Sequence, residues 1–343
     1  MLGISVYFQD LDYEYLRVCK EKGVKYIFTS LHIPEEDYSK LDSILPEFLQ
    51  KTQEYGLVVC PDVSPVTFEK LGVKYGDFET LKKMGFKALR LDYGFDDIKY
   101  IKALVEDFEL MLNASVVDEA MIQSLISENI DLNKITMTHN FYPKRFTGIS
   151  REFLRKKNEV FRKYNIKVQA FVCGDDLKRF PLYEGLPTVE QHRDLHPLAA
   201  ALDLLSLGVT DIMIGDSKAK IETIEALNAL LQDHTVHIKC AFENQYNHLY
   251  DKVFDCRKDE SQDVIRLLVN RQPNIVPFNN GIRKAGFITM DNRLMGRYSG
   301  EISILKNDLP SDTRTNTIGY IHPMYLDVLG KINASMKIKF TKM

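Results

Sequence analysis

The sequence predicts an α/β fold in which a (β/α)8 barrel is followed by a small all-β domain. The first two thirds of the 343-residue chain repeat, eight times, a short β-rich apolar run and an amphipathic helical stretch. Eight β/α units in a row are typical of a barrel. After residue 234 the helical pattern gives way to short strand-like runs separated by turn signals. We therefore expect a catalytic barrel at 1–234 and a β domain at 235–343.

The eight predicted barrel strands are apolar on several consecutive positions, as expected of parallel strands that are covered on both faces. They are GISVYF (3–8), YIFTSL (26–31), LVVCPDV (57–63), ALRLDYG (88–94), FELMLNAS (108–115), ITMTHNF (135–141), VQAFVCG (168–174) and DIMIGD (211–216). An open doubly wound sheet is the alternative. It usually has fewer strands and a glycine-rich first turn, whereas the first run here is followed by Phe8-Gln9-Asp10.

The helical stretches between these strands have recognisable ends. Ser150 precedes one of them and is expected to be its N-cap. Asp62 stands before Ser64-Pro65 in what resembles a capping loop, which favours a structural role for its carboxylate. Asp96 and Asp97 are expected to start the fourth helix.

Composition excludes several classes of function. The chain has 45 Lys and Arg against 48 Asp and Glu, so it lacks the basic excess of a nucleic-acid-binding protein. No apolar run reaches the roughly 18 residues that span a bilayer, and the first residues do not resemble a secretory signal. Five cysteines without CxxC spacing indicate reduced thiols in the cytoplasm. Because there is no tryptophan, any aromatic stacking depends on 17 Tyr and 19 Phe.

Carboxylates near the predicted strand ends are the candidate catalytic groups, because active sites of such barrels lie at the C-terminal ends of the strands. Asp92 follows the fourth strand and precedes Tyr93-Gly94 rather than a helix start. Glu184 lies in the long loop 174–197, where aromatic and proline neighbours can keep a general acid protonated. Asp216 follows the eighth strand and is a reserve candidate, with helix capping as the alternative.

Polar and aromatic groups near the same ends are the candidate substrate ligands. Two polar residues could hold sugar hydroxyls: Asn113 after the fifth strand and His139 after the sixth. Three tyrosines could supply a stacking face: Tyr93, Tyr142 and Tyr183. Three cations are candidates for an anion such as phosphate: Arg179, Lys144 and Arg193. The Thr147-Gly148 turn before a helix could add backbone N–H donors.

Other chemistries are disfavoured. No predicted strand ends in the lysine that a Schiff base needs, and neither GxSxG nor a phosphate-binding P-loop is present. A metal site from His32, His139, Asp92 and Asp216 lacks HxH or HExxH spacing, so we expect no metal. Paired carboxylates with polar neighbours best fit glycoside hydrolysis.

Several longer strings resemble a bacterial family, the 6-phospho-N-acetylmuramidases, whose members join a TIM barrel to a cyclophilin-like C-terminal domain. The strings are TSLHIPE (29–35), LRLDYGF (89–95), LNAS (112–115), THNFYP (138–143), TGIS (147–150), PLYEGLPTVEQHR (181–193), IMIGD (212–216), DNRLMGRYSGEI (291–302) and DTRTNTIG (312–319). The resemblance implies cytoplasmic, exo-acting cleavage of the β-1,4 bond of N-acetylmuramic acid 6-phosphate–N-acetylglucosamine during peptidoglycan recycling. It implies no cofactor, and the partner would be that small phosphorylated disaccharide rather than nucleic acid or membrane.

The mechanism and two other functions stay open at this point. Hydrolysis can be retaining, inverting, or assisted by the 2-acetamido group of the substrate. A non-catalytic sugar-phosphate-binding protein would bind without turnover. A phosphosugar isomerase or lyase is also compatible with a barrel, but only a glycosidase would release N-acetylglucosamine.

Overall fold

The computed structural model describes residues 1–31, 41–95 and 97–343, with the side chains of residues 41 and 42 left aside. His32, most of the TSLHIPE string and Asp96 therefore lie outside the described residues.

Eight parallel strands close into a barrel in the chain order β1 to β8, which confirms the predicted fold class. The strands are β1 (Leu2–Ser5), β2 (Tyr26–Ser30), β3 (Val58–Val63), β4 (Ala88–Leu91), β5 (Glu109–Asn113), β6 (Ile135–Thr138), β7 (Lys167–Val172) and β8 (Asp211–Ile214). Each falls in or within one residue of the run predicted for it. Pairing of β1 with both β2 and β8 closes the ring.

Helices follow the strands as a (β/α)8 pattern requires. They are α1 (Tyr13–Glu21), α2 (Leu41–Tyr55), α3 (Pro65–Lys70), α4 (Phe78–Met84), α5 (Ile98–Leu104), α6 (Glu119–Ser127), α7 (Arg151–Lys163), α8 (Pro197–Ser206) and α9 (Ile221–Asp233). Ser150 caps α7 and Asp97 caps α5, both through the side chain. The cap of α3 is Ser64, so the capping role expected for Asp62 is wrong.

Side chains alternate between the inside and the outside of the barrel. Cys60, Ala88 and Met111 pack together in one inner layer, and Phe28, Phe171 and Met213 form another. Each set comes from separate strands whose Cβ atoms point inward at every second residue. The barrel interior is thus a packed core, with room for chemistry only at its end.

The chain divides into two compact units, Met1–Asn228 and Ala229–Met343. The division falls inside α9, and the boundary at 234/235 inferred from the sequence stays a prediction. The second unit is a mostly β domain whose seven strands follow the order β10-β15-β9-β14-β12-β13-β11. They are β9 (Thr235–Phe242), β10 (Val253–Asp255), β11 (Val264–Arg266), β12 (Phe287–Asp291), β13 (Ile302–Leu305), β14 (Thr315–Ile321) and β15 (Lys337–Lys342), with a short helix α10 (Leu326–Leu329).

All five cysteines are buried free thiols, and burial raises the pKa of Cys173 to about 12 and that of Cys256 to about 11. Within the described ranges, none of the helices has both the length and the apolar character needed to cross a membrane.

Candidate active site

A cavity of about 210 Å³ lies where β3, β4, β6 and β7 end. Its lining residues are Asp62, Arg90, Asp92, Asn140, Phe141, Tyr142 and Phe171. It is therefore at the C-terminal end of the barrel strands, where barrels of this type place their active sites. We call it the mouth cavity.

The alternation along each strand explains why these side chains face the cavity. Cys60 faces inward on β3, so Asp62, two residues later, faces inward as well. Ala88 is likewise inward on β4, which brings Arg90 and then Asp92 to the same side. The polar groups of the mouth thus continue the inner layers of the core.

Arg90 is the centre of the polar side of the mouth cavity. Its side chain is almost fully buried, and one terminal nitrogen lies 2.5 Å from a carboxylate oxygen of Asp62 and 3.7 Å from one of Asp92. The other terminal nitrogen donates to the side-chain oxygen of Asn140. Burial alone would lower the pKa of Arg90, but the two carboxylates raise it above its usual value. The guanidinium therefore stays charged and allows two carboxylates to lie together in one cavity.

The other side of the cavity is aromatic. The ring centroids of Phe141 and Phe171 are 5.0 Å apart with the rings nearly perpendicular, and Phe28 lies 5.6 Å from both. Tyr142 follows Phe141 in the lining, and its backbone N–H donates to the carbonyl oxygen of Pro187. These contacts hold an apolar surface opposite the charged one, as in sites that bind one face of a sugar ring.

Of the three carboxylates expected from the sequence to be catalytic, Asp92 lines the mouth cavity, and its side chain is 28% exposed. Glu184 is not among the lining residues. Its side chain is 39% exposed, lies 3.8 Å from the guanidinium of Arg145 and accepts a hydrogen bond from the backbone N–H of Arg145 at 3.3 Å. It therefore lies on a partly exposed loop surface beside a cation.

Asp216 is fully buried, contrary to the expectation of a reserve catalytic carboxylate. One of its oxygens accepts the backbone N–H of Gly174 at 2.8 Å, and the other accepts that of Arg179 at 3.0 Å. The Lys178 ammonium lies 3.5 Å away. Asp216 thus positions the loop that follows β7, and it does not cap α9.

His139 is also fully buried and does not face the mouth cavity, contrary to the expectation that it holds substrate. Its Nε2 lies 2.8 Å from the side-chain oxygen of Asn158 in α7, whose amide donates in turn to the carbonyl of Leu207. Burial lowers the pKa of His139 to about 4, so the ring is neutral at pH 7. It joins the barrel wall to the surrounding helices.

The remaining predicted sugar ligands lie on the mouth end of the barrel. Asn113 ends β5, is half-buried, and accepts the backbone N–H of Ser115 through its side-chain oxygen at 3.0 Å. Tyr93 and Tyr183 are more than half exposed. Of the three tyrosines predicted to stack on a sugar, Tyr142 is the one that lines the mouth cavity.

Arg193 is not available to a phosphate, contrary to expectation. Its buried guanidinium donates to both oxygens of Glu190 at 2.7 Å, to the carbonyls of Gly185 and Glu184 at 2.8 and 3.4 Å, and to those of Tyr142 and Lys144 at 3.0 and 3.2 Å. These contacts use the full set of N–H donors that an arginine has. Arg193 thus fastens the loop after β6 to the loop after β7.

The Thr147-Gly148 turn is also occupied by protein. The backbone N–H groups of Phe146 and Gly148 donate to the two oxygens of Glu190 at 2.9 and 2.8 Å. The hydrogen bonds from Arg193 lower the pKa of Glu190 to about 2. An internal carboxylate therefore takes the place in which a phosphate was expected.

The other two predicted cations differ in burial. Arg179 is buried, and its guanidinium carbon lies 4.7 Å from the centre of the Tyr7 ring. Lys144 is exposed on the loop after β6.

Five residues of the mouth cavity were missing from the sequence-based candidates, the two phenylalanines and three polar residues: Asp62, Arg90 and Asn140. Counting every second residue from an inward-facing position finds all three polar residues, and it also places His139 and Asp216 on the outer side of their strands.

Within the described part of the chain, no group of three His, Cys, Asp or Glu side chains could hold a metal.

Two family models match the chain. The N-terminal model of 6-phospho-N-acetylmuramidase matches residues 2–229, and the C-terminal model matches residues 235–341. A solved structure of a conserved Enterococcus faecalis protein of unknown function is 28% identical, covers 100% of this chain and 96% of its own, and has a TM-score of 0.84. An uncharacterised Bacillus cereus protein of known structure is 24% identical over 99% of both chains, with a TM-score of 0.77, and supports the fold. No curated protein matches.

Proposed function

The chain belongs to the 6-phospho-N-acetylmuramidase family, and from this we propose that it hydrolyses the β-1,4 bond of N-acetylmuramic acid 6-phosphate–N-acetylglucosamine. The products are N-acetylmuramic acid 6-phosphate and N-acetylglucosamine. The observation that carries the proposal is the pair of carboxylates, Asp62 and Asp92, held on one buried arginine in the mouth cavity. We place the reaction in the cytoplasm, as an exo-acting step in the recycling of peptidoglycan.

Asp92 is the proposed nucleophile or base. It lies in the cavity at 3.7 Å from Arg90, whereas Asp62 is in direct contact with Arg90. The side chain of Asp92 is 28% exposed against 13% for Asp62, so Asp92 is the carboxylate that a sugar or a water molecule in the cavity reaches more readily. In this scheme Arg90 and Asp62 are positioning residues for Asp92.

Glu184 is the proposed general acid. It stands on the loop that Arg193 fastens next to Tyr142, a residue of the mouth cavity. In this role it protonates the glycosidic oxygen as the bond to N-acetylglucosamine breaks. Its separation from Asp92 in the substrate complex decides the stereochemistry, since about 5–5.5 Å indicates retention and about 6.5–9.5 Å indicates inversion.

A third route uses the 2-acetamido group of the substrate as the nucleophile, with a carboxylate orienting the amide. Asn140 supports this route. Its side-chain oxygen is taken by Arg90, which turns its amide N–H groups toward other acceptors such as an acetamido carbonyl. The configuration of the released sugar and the effect of replacing the acetamido group distinguish this route from inversion.

Lys144 and Arg179 are the proposed partners of the 6-phosphate, since the contacts of Arg193 leave it a positioning role. A substrate without the 6-phosphate would leave these two cations without their anionic partner, which costs binding free energy. Removing the 6-phosphate from the substrate is therefore expected to lower kcat/KM strongly.

The test measures N-acetylglucosamine released from the phosphorylated disaccharide by the wild-type protein and by Asp92→Asn. We expect the variant to lose at least roughly 100-fold in kcat, as for a residue that acts in the transition state. Asp107→Asn is the matched control, because Asp107 pairs with Lys82 on the outside of the barrel.

Each outcome has a distinct meaning. Near-normal turnover by Asp92→Asn excludes Asp92 from the reaction. Tight binding of the disaccharide without any release identifies a sugar-phosphate-binding protein. A rearranged or eliminated phosphosugar without free N-acetylglucosamine identifies an isomerase or lyase. Equal rates on the phosphorylated and plain disaccharides exclude recognition of the 6-phosphate.

A further inference from the structure

The second unit contains a cleft of about 480 Å³, more than twice the volume of the mouth cavity. It lies where β9, β14 and β12 run side by side, and all its lining residues belong to this unit. The volume is within the roughly 300–1,000 Å³ of sites that bind small molecules. The family name and the chemistry of the barrel mouth leave this cleft without a role.

Aromatic side chains from all three strands line the cleft. Phe287 of β12 pairs with Tyr320 of β14, and Tyr320 pairs in turn with Ala241 of β9. Tyr320 is 51% exposed. Phe242 makes edge-to-face contacts with Tyr250 and Phe340, both with ring centroids 5.1 Å apart. A ligand that enters the cleft therefore meets aromatic surface fixed by the sheet.

Gly319 allows the Phe242 ring to approach the sheet this closely. A Cβ atom at position 319 would lie 2.5 Å from the carbonyl oxygen of Ala241 and 2.7 Å from the Phe242 ring. Any larger residue would therefore displace the backbone or the ring that forms this side of the cleft.

One wall of the cleft is a segment held to β14 by hydrogen bonds. Asn279 has φ of +41° and is bonded to Thr317 twice, since its carbonyl accepts the Thr317 N–H and its side-chain amide donates to the Thr317 carbonyl, both at 2.9 Å. The Thr317 hydroxyl donates to the carbonyl of Ile282 at 3.3 Å. The side-chain nitrogen of Asn279 makes the bond to Thr317, and its side-chain oxygen is an acceptor in the lining of the cleft.

The charge of the residues that line the cleft favours neutral ligands over anions. Glu243 carries a carboxylate into the lining, and its side chain does not cap the helical turn that follows it. Among the described residues that line the cleft, none is lysine or arginine. A phosphate or carboxylate ligand would face Glu243 without a compensating cation, so the lining disfavours anions.

We propose that this cleft is a second saccharide-binding site, which takes a neutral sugar such as an N-acetylhexosamine. Aromatic rings cover the apolar face of a sugar, and the oxygens of Asn279 and Glu243 accept hydrogen bonds from its hydroxyl and amide N–H groups. The site is separate from the reaction proposed for the barrel mouth, and binding there does not depend on hydrolysis.

The test uses the full chain and N-acetylglucosamine as the probe, with binding followed by calorimetric titration and by saturation-transfer NMR. Tyr320→Ala is expected to weaken binding in the cleft roughly tenfold, equivalent to about 1.4 kcal/mol, because it removes an exposed stacking face. Tyr320→Phe keeps that face and is expected to bind within about twofold of wild type. Tyr298→Ala, which changes another surface tyrosine of this unit, is the matched control and should leave binding unchanged.

Two further measurements separate the cleft from the barrel mouth. Asp92→Asn alters the mouth cavity while keeping its shape, and it should leave the Tyr320-dependent binding unchanged. N-acetylglucosamine 6-phosphate should bind the cleft at least roughly tenfold more weakly than the neutral sugar. Unchanged binding in Tyr320→Ala, loss of all binding in Asp92→Asn, or tighter cleft binding by the phosphorylated sugar or by a neutral, end-blocked alanine tripeptide would each overturn the proposal.

Discussion

Replacing Arg193 with lysine tests which of two roles Arg193 has, holding two loops together or binding a phosphate. Arg193 keeps its charge within a buried pair with Glu190 and also reaches four carbonyl oxygens of the loops after β6 and β7. Lysine retains the charge but offers three donors from one nitrogen instead of a planar fork of five. It cannot reach both carboxylate oxygens and all four carbonyls.

The size of the effect follows from the bonds that are lost. At least three of the contacts of Arg193 disappear in the lysine variant, and a net protein hydrogen bond contributes about 1 kcal/mol. We expect Arg193→Lys to lower the free energy of unfolding of the barrel by roughly 3 kcal/mol. For a unit of this size, the corresponding fall in Tm is roughly 6–12 °C.

The assay is denaturant unfolding of Arg193→Lys, with Arg145→Lys as the matched control. Arg145 makes a two-point pair with Asp194 on the same loops, but the two side chains are 39% and 74% exposed. Exposed pairs contribute less than about 1 kcal/mol, so the control should lose far less stability. A loss below about 1 kcal/mol in Arg193→Lys would refute the reasoning.

Activity gives an independent readout of the same variant. If Arg193 fastens the loops that carry Tyr142 and Glu184, Arg193→Lys lowers kcat/KM for the phosphorylated and the plain disaccharide by the same factor. A residue that holds the phosphate would lower only the first. A loss confined to the phosphorylated substrate would therefore show that Arg193 is a phosphate ligand after all.

The remaining predictions concern buried groups. The pKa of His139 falls from 6.5 to about 4 on folding, so its neutral form contributes stability that is complete above pH 6.5 and is lost as the pH falls toward 4. We expect this loss to approach about 3 kcal/mol and to vanish in His139→Gln, as measured by urea unfolding from pH 7 to 4. Asp216→Asn should loosen the loop that follows β7, because the new side-chain amide places a donor against the N–H of Gly174 or Arg179. We expect faster hydrogen exchange of those two backbone amides. Unchanged protection would contradict the role assigned to Asp216. Glu301→Gln should destabilise the second unit by about 2 kcal/mol or more, since the carboxylate is buried and paired with Arg271 at 2.7 Å, and thermal unfolding in low and high salt would show whether the charge is responsible.

The barrel was predictable because each strand carries its own signal. Strands covered on both faces are continuous apolar runs, and eight such runs separated by helices leave few other arrangements. The run 88–94 extends past β4, which ends at Leu91. The three extra residues, Asp92, Tyr93 and Gly94, follow Leu91, which is the last residue of β4 in register with β3 and β5.

The candidate site was predicted less well because facing direction depends on a single residue of register. THN (138–140) offers a histidine and an asparagine one position apart, and the chemically more familiar side chain, His139, is the one that points away from the mouth. Asn140, its neighbour, lines the cavity. The alternation along β6 would have given the right choice, since a shift of one residue moves a side chain to the other face.

The loop residues could not be placed from the sequence at all. No periodicity links Arg193 to Tyr142 or Glu190 to Gly148, and these contacts depend on how two irregular loops meet. The sequence of a loop rich in Lys, Arg, Asp and Glu does not distinguish charges that pair with each other from charges that bind a ligand. In this chain the internal pairs dominate, because Glu190 satisfies both the arginine and the backbone turn expected to bind phosphate.

The division of the mouth cavity into a charged and an aromatic side constrains how a sugar can enter it. The carboxylates come from β3 and β4, whereas Phe141, Tyr142 and Phe171 come from the ends of β6 and β7. A sugar ring that stacked on the aromatic side would present its opposite face to Asp62 and Asp92. The chain contains no tryptophan, and phenylalanines on two neighbouring strands supply the surface that one large indole could otherwise provide. Because those phenylalanines are also packed on Phe28 in the inner layer of the core, the stacking face is as rigid as the barrel itself, which favours a site formed before the substrate arrives.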